Sequence, residues 1–179
     1  MNTIKVSDKE FAPFISQETI ENAIKKMAAE IDRDMKDKNP VFLVMLNGAF
    51  MFASQLFKEM ETDGEMSFVK YKSYCGTQSS GNINQLIGLS ASLEGRNVVI
   101  VEDLIDSGYS MKCLMEDLYA RKAASVKIAV MLMKPKAFKY DYKVDYVGLN
   151  IGNDFIVGYG LDYNEYGRSY KDIYKIVEK

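Results

Sequence analysis

A chain of 179 residues, 47% hydrophobic and 27% charged, has the size and composition of one folded domain and excludes a disordered polypeptide. With 23 basic and 25 acidic residues its net charge is -2, without the basic surplus of a general nucleic-acid binder. It contains no histidine, so Ser-His-Asp and Cys-His catalysis and histidine-ligated metals are excluded, and acid–base work falls to carboxylates, lysine, tyrosine or cysteine.

The first residues, MNTIKVSDKEF, are polar and lack the apolar core of a signal peptide. Ile20, Ala23, Ile24, Met27, Ala28, Ile31 and Met35 recur every three or four residues, which predicts an amphipathic helix over 17–38 with Ser16 as N-cap. VFLVML (41–46) reads as a strand buried on both faces, and Gly48 to Met60 as a helix. The apolar stretch from Val41 to Phe52 is interrupted by Asn47 and Gly48 and is too short to span a bilayer. MSFVKYKSY (66–74) alternates as a strand does, and residues 85–90 form a second extended run. Between them lies the polar, glycine-bearing stretch 75–84, by composition either a hinged lid or an ordinary hairpin loop. NVVIV (97–101) is another buried strand, followed by a helix over about 109–121. Further strands are expected at 125–133, 144–151 and 155–161. Cys75 and Cys113 are too few and too far apart for a zinc cluster or a disulfide framework, and read as free thiols in a reducing cytoplasm.

Buried strands alternating with amphipathic helices predict an α/β fold with a mostly parallel sheet covered on both faces. Such folds bind ligands beyond the carboxyl ends of their strands, so chemistry is expected after 41–46, 97–101 and 125–133. The densest candidate is VVIVEDLIDSGYSM (98–111), where Glu102 and Asp103 close a strand and Asp106-Ser107-Gly108-Tyr109-Ser110 opens a helix. A helix N-terminus offers free N–H groups and positive dipole to a phosphate, with Gly108 allowing close approach and the serine hydroxyls donating. Glu102 and Asp103 repel phosphate but suit hydroxyl groups or a divalent cation. A ribose 5-phosphate satisfies both ends. Taken singly, Ser107 could merely cap the helix and the acids merely decorate its start; three clustered carboxylates are harder to explain that way, since they repel one another. A Walker A loop and a G-x-G-x-x-G fingerprint are both absent.

This segment resembles the phosphoribosylpyrophosphate (PRPP) motif of the type I phosphoribosyltransferases. The chain from Pro40 to Glu178 is similar to the hypoxanthine (hypoxanthine-guanine) branch of that family through LNGAF (46–50), KSYCGTQSSG (72–81), VEDLIDSG (101–108), LMKPKAF (132–138) and DFIVGYGLDYNEYGR (154–168). The resemblance implies a single domain over 1–179, with a small hood from about 1–15 and 152–179 and a mobile loop at about 73–84. It implies a Mg²⁺-dependent transfer of phosphoribosyl from PRPP to N9 of hypoxanthine, and of guanine. Glu102 and Asp103 would hold the ribose hydroxyls, directly and through Mg²⁺, and residues 106–110 would wrap the 5-phosphate. Asp106 would lie against purine N7, Lys134 would bond the exocyclic oxygen, Phe155 would stack on the base and the Ile156 backbone would read its far edge. Asp162 would bind a second Mg²⁺ beside the purine, and Arg168 and the loop Leu46-Asn47-Gly48 would contact pyrophosphate. Ser73 and Tyr74 match the pair in the closing loop. By composition alone Lys134 reads as a solvated lysine, Phe155 as core, Asp162 as an Asx-turn and Arg168 as a surface charge.

Two departures stand out: Asn47 where the family usually has lysine, and Gly152 where many relatives have proline. The implied partners are small molecules, with neither nucleic acid nor membrane, in a cytoplasmic homodimer or homotetramer. The segment Ala49 to Phe52 could be a contact helix or core. A PRPP-sensing transcriptional regulator would want a basic face, and an adenine or orotate enzyme fits LMKPKAF and DFIVGYGLDY poorly. The alternatives to the hypoxanthine reading are that regulator and a xanthine-preferring enzyme on the same fold.

Overall fold

The computed structural model describes residues 3–70 and 92–177; the expected strand at 85–90, the loop at 73–84 and Cys75 lie outside them. The chain starts with two strands that the sequence reading did not pick out, β1 (Ile4–Val6) and β2 (Lys9–Ile15), paired antiparallel. Ser16 then caps α1 (Gln17–Met35), its side chain accepting the Thr19 N–H, and the helix buries Ile20, Ile24, Met27, Ala28, Ile31 and Met35 as the periodicity requires. β3 (Val41–Met45) is buried throughout, and α2 (Phe50–Glu59) follows it. β4 (Glu65–Val69) covers the described part of the expected 66–74 strand.

β5 (Asn97–Ile105) is longer than its apolar run, because Glu102, Leu104 and Ile105 continue to pair with Val130, Leu132 and Met133 of β6 (Ser125–Met133). Glu102 and Asp103 therefore sit inside a rigid strand instead of terminating one. α3 (Tyr109–Ala120) joins these two strands, and β7 (Tyr146–Asn150) completes the sheet. The expected strand at 155–161 is only β8 (Ile156–Val157), because Gly158, Tyr159 and Gly160 take positive φ and turn the chain back on itself, bridging Gly158 to Leu161. β9 (Ile173–Ile176) is the last strand.

Five parallel strands lie in the order β4-β3-β5-β6-β7. From β3 the chain crosses through α2 to one side, and from β5 through α3 to the other. Right-handed crossovers then place α2 and α3 on opposite faces of the sheet, as the continuously apolar strands demand. The order reverses between β3 and β5, so the crevice at their carboxyl ends is the switch point where such sheets bind ligands. A second, antiparallel sheet, β1-β2-β9-β8, is built from both ends of the chain. The Gln17 N–H at the start of α1 donates to Asp172 Oδ1 (2.7 Å), tying that sheet to the main body. At the opposite end of the parallel sheet, Asp34 of α1 accepts from Lys127 Nζ (2.9 Å) and from the Tyr146 hydroxyl (3.0 Å). Among the described residues no helix is long and apolar enough to cross a membrane.

Candidate active site

The loop after β3 and the end of β5 meet at the switch point. Leu46 donates its N–H to the Val69 carbonyl (2.8 Å), the Leu46-Asn47 peptide is cis, and Gly48 brings bare backbone against Asp103. A Cβ at Gly48 would fall on the Asp103 carboxylate, so only glycine allows this approach. Gly160, at φ +96°, packs on the carbonyl of Gly48 in the same way. Three segments remote in sequence thus converge through backbone contact.

Glu102 lines a cavity of about 180 Å³ together with Asp106, Ser107, Gly108 and Ser110. Burial and the Asp103 charge push the Glu102 carboxyl well above the usual carboxylate range. Among the described residues no lysine or arginine pairs with either acid. An unbalanced pair of oxygen donors fits a hard divalent cation such as Mg²⁺, which would relieve their repulsion. No group of three histidine, cysteine or acid side chains converges among the described residues, so the pair suits an ion that retains water ligands rather than one caged by protein. Asp162 is engaged elsewhere: its Oδ1 pairs with Arg168 Nη2 (2.8 Å) and its Oδ2 accepts the Glu165 N–H (2.8 Å). The turn suggested by composition is therefore real, and Arg168 is drawn into it. Arg168 Nη1 also donates to the Gly160 carbonyl (2.9 Å) and Nη2 to Glu165 Oε2 (2.8 Å). Glu165, which sequence reasoning missed, is shifted below its ordinary carboxylate value by its hydrogen bond with Arg168.

Gly108 is the N-cap of α3 at φ +84°, a left-handed conformation that selects glycine, and its side makes no cap of its own. The Tyr109 N–H makes a long contact to Ser107 Oγ (3.4 Å) at the open end of the helix. Lys134 is buried, contrary to its composition-based reading, and its Nζ lies 3.1 Å from Asp106 Oδ2. The Lys134 N–H donates to the Ile105 carbonyl (2.9 Å), which fixes the two loops side by side.

Phe155 is 45% exposed rather than core, yet its ring is propped edge-on by Tyr163 (centroids 5.7 Å) and at a tilt by Phe11 (6.3 Å). The Phe155 carbonyl accepts the Ile176 N–H, so by alternation the backbone of Ile156 faces the free edge of β8. Ser73 and Tyr74 lie outside the described residues. Ala49 and Phe52 are core, whereas Phe50 beside them is exposed.

A helix N-terminus and a carboxylate pair at the switch point of a parallel sheet form an arrangement that suits a phosphorylated sugar. Residues 16–164 match the model of the phosphoribosyl transferase domain, and the chain belongs to that family, with its type I fold. It is 41% identical over 152 residues, 84% of each chain, to the hypoxanthine-guanine phosphoribosyltransferase of Bacillus subtilis (strain 168). Its structure is similar to a hypoxanthine phosphoribosyltransferase from Staphylococcus aureus (TM-score 0.85, 35% identity, covering 92% of this chain and 90% of that one). It is also similar to a hypoxanthine-guanine phosphoribosyltransferase from Bacillus anthracis (TM-score 0.84, 32% identity, covering 93% and 97%).

Proposed function

We propose that this protein is a purine salvage enzyme that transfers the 5-phosphoribosyl group of PRPP to N9 of hypoxanthine, and of guanine, giving IMP or GMP and pyrophosphate. The observation that carries this reading is the single cavity shared by Glu102, Asp106 and the 107–110 loop, with Lys134 standing behind Asp106. The bond from C1′ to the pyrophosphate oxygen breaks as the bond from C1′ to N9 forms, through a transition state resembling an oxocarbenium ion.

In this reading the 107–110 N–H groups and hydroxyls grip the 5-phosphate, and Glu102 and Asp103 orient the ribose hydroxyls. Glu102 and Asp103 would hold one Mg²⁺, and Asp162, with its carboxylate turned from Arg168, would hold a second; bound there, Mg²⁺ would supply positive charge against the departing pyrophosphate. Asp106 takes or shares the proton at purine N7 as N9 becomes nucleophilic. The Lys134 ammonium donates to the exocyclic oxygen of a 6-oxopurine, and its place beside Asp106 keeps the two groups aligned. Phe155 offers an exposed ring face for the base, and Ile156 a free backbone edge. Arg168 meets pyrophosphate together with the 46–48 loop, where Asn47 hydrogen-bonds without adding charge. The exposed Phe50 at the start of α2 supports association of copies into a homodimer or homotetramer.

The test is incubation with PRPP and Mg²⁺ and each of hypoxanthine, guanine, xanthine, adenine and orotate, measuring pyrophosphate release. Turnover of hypoxanthine and guanine is expected. No turnover with any base overturns the enzyme reading, and turnover of adenine alone overturns the role of Lys134.

A further inference from the structure

The phosphate loop is gripped from behind by residues 138–142, to which neither the motif nor the chemistry above gives a role. The Lys139 N–H donates to the Ser107 carbonyl (3.2 Å), and the Tyr142 hydroxyl donates to the Gly108 carbonyl at 2.7 Å. The Gly108 carbonyl also accepts the Lys112 N–H of the first helical turn (3.1 Å), so both of its lone pairs are used. In a trans peptide the carbonyl and the following N–H point in opposite directions. Drawing the carbonyls of Ser107 and Gly108 toward 138–142 therefore turns the N–H groups of Gly108 and Tyr109 the other way, away from that segment, the Tyr109 N–H in a long contact with Ser107 Oγ (3.4 Å). Consecutive N–H groups aligned in this manner form an anion-binding concavity.

Tyr142 and Phe138 together explain why the loop tolerates no side chain at its centre. A Cβ at Gly108 would stand 2.5 Å from the Phe138 ring and 2.7 Å from the Tyr142 hydroxyl, and those two rings brace each other edge-on (centroids 5.0 Å, 84°). Burial pushes the Tyr142 hydroxyl up to about 12, so it remains a donor at any pH near neutrality.

We propose that Tyr142 is a positioning residue for recognition of the 5-phosphate: its hydroxyl fixes the Gly108 peptide so that the loop presents N–H groups, and no carbonyl, to a phosphate monoester. The inference rests on the reading of 106–110 as the phosphate site. Because the segment follows Lys134 closely in sequence, one short stretch of chain would align both the purine-binding lysine and the phosphate-binding backbone.

Tyr142→Phe removes the hydroxyl and keeps the ring against Phe138. Wild type and variant are titrated calorimetrically with IMP and with inosine, which differ only in the phosphate. Wild type is expected to bind IMP more tightly than inosine. The variant is expected to lose about two- to tenfold for IMP, the weight of one hydrogen bond, and nothing for inosine. In turnover the KM for PRPP rises by a similar factor while kcat and the KM for hypoxanthine hold. Tyr142→Leu, a second hydroxyl-free variant, gives the same phosphate-selective loss. Unchanged IMP affinity in both variants, or equal losses for IMP and inosine, overturns the role of Tyr142 alone. A wild type that fails to prefer IMP over inosine overturns the phosphate site itself, and the inference with it.

Discussion

The Asp103 carboxylate of β5 occupies the space a Cβ would take on Gly48, in the loop after the neighbouring strand β3. The Gly48 carbonyl does the same to Gly160, whose own carbonyl accepts Arg168 Nη1. This relay joins a carboxylate read as a metal ligand to an arginine read as a pyrophosphate ligand through two glycines. Gly48→Ala forces the Asp103 side chain aside, and because a carboxylate can rotate where backbone cannot, the fold survives while the carboxylate is misplaced. The expected outcome is a loss of about 10²-fold in kcat/KM for PRPP and a higher Mg²⁺ requirement, with little change in Tm. Steady-state kinetics over a Mg²⁺ series check it; wild-type kinetics would show that Asp103 need not sit where it does.

Asp106 is exposed although its partner Lys134 is buried, so an isosteric variant is chosen that keeps their contact while changing the chemistry. Asp106→Asn keeps the shape and the hydrogen bond to Lys134 Nζ but cannot accept a proton as a carboxylate does. A fall in kcat of about 10²–10⁴-fold is expected, the usual weight of one acid–base group. Single-turnover measurements under saturating PRPP check it, and an unchanged rate removes Asp106 from proton transfer.

Strands buried on both faces were legible because parallel sheets leave long apolar runs, and β3, β5 and β6 appear where those runs are. Their far ends were not: β5 outlasts its apolar stretch because pairing with β6 carries acidic residues along with it. β1, β2 and β9 escaped because their alternation is short and mixed with charge, and only the pairing of both chain ends gives them meaning. Among site residues, the 102–110 string was readable as chemistry from local sequence. Lys134 and Phe155 reversed their compositional readings, since burial of the first and exposure of the second follow from loops brought together by the fold. Tyr142 and Glu165 left no sequence signal, because a single tyrosine or glutamate in a polar run is unremarkable until its partner is known.

At the other end of the sheet, Lys127 and the Tyr146 hydroxyl hold the Asp34 carboxyl down to about 2, below its ordinary 3.8. A depressed folded-state value means that the carboxylate stabilises the fold at pH above about 4, and that this contribution disappears as pH falls from about 4 toward 2. The shift corresponds to about 1–2 kcal/mol once solvent screening of a partly exposed pair is allowed for. Asp34→Asn is therefore expected to lower Tm by about 3–6 °C at pH 7. Urea unfolding of both proteins at pH 7, 5, 4 and 3 checks the sign: the gap holds to about pH 5 and narrows below pH 4. A gap that widens on acidification would contradict this ion pair as its source.

Phe155 offers the sharpest separation of binding from folding. Its ring is nearly half exposed, so Phe155→Ala costs little buried area, while Phe11 and Tyr163, which prop it, remain packed in the second sheet. If the ring stacks on the purine, its removal forfeits about 1–3 kcal/mol of base–aromatic contact, or about 5- to 150-fold in affinity. The KM for hypoxanthine should rise within that range, the KM for PRPP should hold, and Tm should move by no more than a few degrees. Phe155→Tyr, which keeps a flat ring, should restore hypoxanthine binding. Should Phe155→Ala raise both KM values together or lower Tm steeply, the ring would be acting as a support for the second sheet and not as a platform for the base.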